Sequence, residues 1–226
     1  MKPASELTLD ELARLCQGPW QRGPHPVAPS GFAELDANLP GGGWPMGALA
    51  ELMPETMGIG ELSVLMPALS RLARAGRYSA WIAPPYLPYA PALVQQALPL
   101  KFILIVQTRS RQESLWAAEQ ALRCAAFGAV LSWPADIADK NVRRLQLAAE
   151  AGGSLGILYR PTAAAREHSP AALRLRLRPS AKGLAVHIHK CRGGRAGVHL
   201  QLPLHTLAPA NQIHALAVHS FSAAPA

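Results

Sequence analysis

Along the middle of the chain, short apolar runs alternate with longer stretches in which apolar residues recur at helical spacing. Ala48–Met53, Tyr78–Ala83, Phe102–Thr108, Ala129–Trp133 and Leu155–Arg160 are predicted strands. Glu61–Ala75, Pro91–Ala97, Gln112–Phe127 and Ala138–Ala151 are predicted helices. In the first of these, Leu62, Leu65, Met66, Leu69 and Leu72 share one face. Pro67 lies inside that span, so the helix either kinks there or starts later. Apolar strands alternating with amphipathic helices predict an α/β fold with a mostly parallel sheet covered on both faces.

The last third changes period. Leu173, Leu175 and Leu177 alternate with Arg174, Arg176 and Arg178; Val186 and Ile188 alternate with His187 and His189; Val198, Leu200 and Leu202 alternate with His199 and Gln201. A period of two predicts three antiparallel strands with one apolar and one basic face. Before the core, Thr8-Leu9-Asp10-Glu11 is a capping box that opens a short helix with an apolar stripe of Leu9, Leu12 and Leu15. A Pro/Gly-rich linker follows from Gln17 to Ser30. The predicted organisation is an N-terminal helix and linker over residues 1–29, one domain over 30–202, and a flexible Ala/Pro/His-rich tail over 203–226.

Charge adds a direction. The net charge of +8 is nearly all C-terminal: residues 168–226 hold seven Lys/Arg and no Asp or Glu, against 15 basic and 14 acidic residues before them. Clustered cations favour an anionic partner such as nucleic acid, although a merely solvated face would read the same way. The start of the chain reads as an acidic helix and not a signal region, and no apolar stretch reaches membrane-spanning length. Three widely spaced cysteines (Cys16, Cys124, Cys191) do not make a disulfide framework. Cytoplasmic residence is expected, at the nucleoid if DNA is bound.

One segment carries more specific chemistry. Leu39-Pro40-Gly41-Gly42-Gly43-Trp44-Pro45-Met46-Gly47, then Ala48–Leu52, leads into Met53-Pro54-Glu55-Thr56-Met57-Gly58-Ile59-Gly60-Glu61. This run resembles the entry to the phosphate-binding loop of RecA-family recombinases. The resemblance covers about residues 30–202 and is strongest at 39–61. It implies a RecA-like core with a degenerate loop. Ile59 stands where the family's lysine reaches the outer phosphates, and Gly60 where its hydroxyl holds magnesium. Glu61 puts a carboxylate at the expected helix start, where loop amides and helix dipole would otherwise draw phosphate. Ala129–Trp133 ends without the magnesium-binding aspartate, and Pro85 aligns with the catalytic glutamate. No nucleotide cofactor and no enzymatic activity are therefore expected.

Two RecA-like families without a working loop are similar over Leu52–Pro161: ImuA and SulA. SulA-like chains lack the Gly41–Gly47 entry and end soon after the Arg160-Pro161 equivalent, so the chain resembles ImuA more. That resemblance implies a non-catalytic adaptor in SOS-induced mutagenic translesion synthesis, acting with ImuB, an inactive polymerase-like protein, and with an error-prone DNA polymerase. Contact with RecA and DNA is expected too. The alternative is a SulA-like inhibitor of cell division that binds FtsZ.

The expected DNA or partner surface is Arg174, Arg176, Arg178, Lys190, Arg192 and Arg195. By the resemblance, Lys190 and Arg192 match two RecA lysines that touch ATP on a neighbouring subunit, and Leu9, Leu12 and Leu15 match a helix that packs on a neighbour. His187, His189 and Cys191, with His199 opposite, supply enough ligands for zinc. Simple alternation also generates that run and no paired-cysteine spacing supports it, so no metal is assigned.

Overall fold

The computed structural model describes residues 27–134 and 136–204, with Arg14 and Cys16. The predicted partner helix (Leu9, Leu12, Leu15), its capping box and the tail beyond Leu204 lie outside the described residues.

An eight-stranded sheet organises the molecule. In chain order its strands are β3 (Ala48–Pro54), β4 (Tyr78–Ile82), β5 (Ile103–Val106), β6 (Phe127–Ser132), β7 (Leu155–Tyr159), β8 (Leu173–Ser180), β9 (Gly183–Cys191) and β10 (Val198–Pro203). Across the sheet they lie in the order β10-β9-β8-β3-β7-β6-β4-β5. A small two-stranded ladder, β1 (Val27–Ala28) with β2 (Trp44–Pro45), precedes it. It buries Trp44 completely.

All pairings from β5 to β8 are parallel. β8 is parallel to β3 and antiparallel only to β9, so the antiparallel extension begins one strand later than its alternating pattern suggests. Both cores are visible in the burial of β3: every residue is buried, as in a strand covered on two faces. On one face, α2 (Met66–Arg74) and α3 (Ala90–Gln95) pack with Ala50, Leu52, Trp81 and the apolar sides of β8–β10. On the other, α4 (Arg111–Arg123) and α5 (Asp139–Gly152) cover Leu49, Ile82 and Val130.

The helix expected from Glu61 starts at Met66, with Pro67 in its first turn where a missing N–H does no harm. Residues 61–65 form turns, and from there Leu62 and Leu65 still reach the core. α4 begins as its sequence allows: the Ser110 hydroxyl accepts from Glu113 N–H at 3.1 Å while the Glu113 carboxylate accepts from Arg109 N–H at 2.8 Å. A short helix at Ala33–Asp36 (α1) was not evident from periodicity. Among the described residues no helix is long and apolar enough to cross a membrane.

Candidate functional site

β3 ends at Pro54 and releases a loop at the carboxyl edge of the sheet. The loop closes on itself. The Gly58 N–H donates to the Glu61 carboxylate, 3.0 Å from one oxygen and 3.2 Å from the other. Glu61 is buried, and its carbonyl accepts from the Tyr159 hydroxyl at 3.4 Å. Burial, and then the Glu61 charge, push the Tyr159 phenol well above its usual range, so it stays a neutral donor. Ile59 packs against the core and does not reach outward. Glu61 does not sit at a helix start as expected, because the helix begins at Met66. Its anion is instead satisfied by a loop amide.

Above this loop lies a cavity of about 350 Å³ lined by Thr56, Met57, Trp133, Tyr159, Arg160 and Thr162. Trp133 stacks on Tyr159 with ring centroids 4.9 Å apart. The rim continues along the loop after β4, where Tyr86, Leu87 and Tyr89 are exposed, with Met57 across from them on the β3 loop. Large apolar side chains grouped at a crevice are a usual mark of a contact surface.

The six predicted basic residues do not form one patch. Arg174 is buried, contrary to its expected projection with Arg176 and Arg178. Its Nε donates to the Glu51 carboxylate at 2.6 Å, and its other nitrogens donate to the carbonyls of Ala164 (2.6 Å) and Glu167 (3.0 Å). Glu51, fully buried in β3, also accepts from Ser169 Oγ at 2.7 Å and Arg160 at 3.3 Å. The physical reason is register. Arg174 lies opposite Glu51, and the segment after β7 roofs the pair. Sequence reading missed Glu51 and Arg160. The available signal was an acid alone in a strand buried on both faces, which must find a cationic partner.

Lys190 and Arg192 are also engaged. Lys190 Nζ donates to the Ser169 carbonyl at 2.6 Å and Arg192 to that of Pro170 at 3.0 Å, clipping β9 to the preceding segment. Burial, then Arg192 and Arg174, lower the Lys190 pKa. Arg195 is exposed in the β9–β10 turn. Arg176 and Arg178 remain on the outer sheet face, joined there by His187 and His199. His187 stacks flat on His199, centroids 4.3 Å apart, an arrangement in which the rings do not converge on a common point. Among the described residues no group of three His, Cys, Asp or Glu could hold a metal ion.

The family model for "Cell division inhibitor SulA" matches residues 50–156. SulA of Photorhabdus laumondii is 31% identical over 111 residues, 49% of this chain and 63% of that protein. SulA of Edwardsiella piscicida is 33% identical over 101 residues, 44% and 60% of the two. The chain thus spans under two thirds of these SulA relatives. The ImuA protein of Caulobacter vibrioides is 28% identical over a 235-residue alignment that takes in 91% of this chain and 96% of that one. A solved SulA from Pseudomonas aeruginosa aligns at 24% identity with a TM-score of 0.42, over 50% of this chain and 97% of that one.

Over residues 50–156 the chain is similar to the SulA family. The similarity to ImuA runs nearly end to end and takes in β8–β10, which the SulA model does not reach.

Proposed function

We propose that the chain is a non-catalytic, RecA-like accessory protein of SOS-induced mutagenic translesion DNA synthesis. It serves as an adaptor between an ImuB-type inactive polymerase and an error-prone DNA polymerase, with RecA and DNA as further contacts. The RecA-like part of this reading is supported by where the 55–61 loop leaves the sheet. The connections after β3 and β6, which flank β7, run to helices on opposite faces, and the loop leaves at the carboxyl edge, the side on which open α/β sheets take their ligands.

The observation that carries the reading is that this crevice is filled from within. A phosphate-binding loop offers free amides and a cation to an incoming anion. Here a carboxylate of the chain itself takes the Gly58 amide, an aliphatic side chain stands in for the cation, and the rim presents Tyr86, Leu87 and Met57. Such a site repels a nucleotide and suits a protein surface. The adaptor role comes from the ImuA-like similarity.

The match of the SulA model to residues 50–156 favours one second reading, an inhibitor of cell division acting on FtsZ. Affinity capture separates the two. The full chain is expected to retain an ImuB-type protein, and Tyr86→Ala with Leu87→Ala is expected to weaken that retention at least tenfold while leaving the fold intact. Retention of FtsZ without the polymerase-like partner would establish the second reading instead.

A further inference from the structure

We propose that the outer face of the antiparallel extension, centred on Arg176, Arg178, His187 and His199, binds the phosphate backbone of nucleic acid, with His187 gaining a proton as the phosphates arrive. This deepens the DNA contact of the reading above; the adaptor role does not depend on it.

The register builds the surface. Arg176 on β8, His187 on β9 and His199 on β10 are successive cross-strand partners, so they form one transverse row over three strands. Arg178 lies two residues on, on the same face, and its side chain is exposed. The opposite face of these strands carries Leu175, Leu177, Val186, Ile188 and Leu200 into the core, so the row cannot turn inward. Unlike Arg174, neither Arg176 nor Arg178 has an ion-pair partner among the described residues. Residues 168–226 contain no carboxylate at all. The nearest acid by register is exposed Glu55, just past the end of β3, while Glu51 is already bound by Arg174 and Arg160.

A positive sheet face without internal acids is complementary to a polyanion and not to an acid-poor apolar partner. Sequence-independent binding through phosphate follows, because guanidinium and imidazole N–H groups in a row meet backbone oxygens and carry no base-specific pattern.

The histidines add a second property. Partial burial, then His199 and His189, then Arg176 and Arg178 all disfavour a proton on His187, so its pKa lies below that of a free imidazole. The groups facing it are Arg176 and Arg178 from β8, His189 on its own strand, where the ring centroids are 6.0 Å apart, and His199 from β10. All are cationic or titratable toward cationic. Phosphates laid on this row reverse the sign of the local field and raise the imidazole pKa in the complex. A group with a higher pKa when bound gives its full contribution to affinity below the free-state pKa. That contribution disappears as pH rises through the bound-state value. Binding should therefore tighten as pH falls through the range in which His187 titrates.

The test is fluorescence anisotropy of the full chain with a labelled single-stranded oligonucleotide about 30 nucleotides long, across salt and from about pH 8 to about pH 6. The wild type is expected to bind about tenfold more tightly at the lower pH. Replacing Arg176 and Arg178 by Gln should reduce the slope of log affinity against log salt by about 1.4, the single-strand value for two phosphate contacts. His187→Gln with His199→Gln should bind as the wild type does at the higher pH and lose the gain at the lower one. Undetectable binding, an unchanged salt slope in the arginine variant, or a pH response that survives in the histidine variant would each overturn the proposal. Circular dichroism confirms that every variant is folded. Affinity capture of the polymerase-like partner reads the adaptor role separately, so either result can fail alone.

Discussion

At the scale of single residues, the buried Glu51–Arg174–Arg160 group decides how the C-terminal arginines are understood. Strict alternation identifies the face on which Arg174, Arg176 and Arg178 lie, and that much was legible. Alternation is blind to what stands above each position. Arg178 is exposed and Arg176 half-buried on the outer face, whereas Arg174 looks onto a buried carboxylate under a cover supplied by residues 164–170. Truncating Arg174 removes the shorter of the two ion pairs to Glu51 and leaves it only Arg160, at 3.3 Å and shared with Glu167, in a place water does not reach. Arg174→Ala should lower stability by about 3–5 kcal/mol, while Glu51→Leu with Arg174→Met, which removes both charges and keeps volume, should be less damaging than the single change. Urea unfolding measures both. An Arg174→Ala loss as small as the about 0.5 kcal/mol usual for surface positions would mean the pairing contributes nothing.

At the scale of elements, each predicted strand of the parallel core was found to within about two residues, because a strand buried on both faces is an apolar run that little else imitates. The helix after β3 was legible as an apolar stripe but not in its start. Loop closure by Glu61 on Gly58 keeps residues 61–65 in turns, and the side-chain period through them is the same either way. The end of α5 shows the same division. Gly153 takes a left-handed φ of 66°, a familiar helix stop that a Gly-Gly pair announces. Gly152 has a different role, invisible without tertiary structure: a Cβ there would stand 1.9 Å from the Leu122 carbonyl oxygen at the end of α4. That oxygen is main chain and cannot swing aside. Gly152→Ala should therefore push α4 and α5 apart and cost about 1–3 kcal/mol. Thermal melts should drop by about 2–4 °C per kcal/mol for a chain of this size. An unchanged melting temperature would mean the two helices have slack at their contact.

At the scale of the whole molecule, the question is whether the crevice at the sheet's carboxyl edge still responds to nucleotide. The residues Ile59, Gly60 and Glu61 are legible in the sequence, but not that the Glu61 carboxylate folds back to take a loop amide, since that depends on the turn geometry of residues 58–61. An anion entering here must displace a buried carboxylate from its donor and approach it while the lining cation Arg160 is held by Glu51 and Glu167, and both steps oppose binding. The consequence is global, because any ligand bound by the folded state alone stabilises the whole chain. At a concentration one hundred times its Kd, ATP with magnesium would contribute about 2.7 kcal/mol. For a chain of this length that amounts to a melting shift of about 5–10 °C. Differential scanning calorimetry with millimolar ATP and magnesium should show no shift. A rise of that size would mean that Glu61 leaves the loop on demand, and the crevice would then have to be understood as a nucleotide-gated site instead of a surface for protein contact.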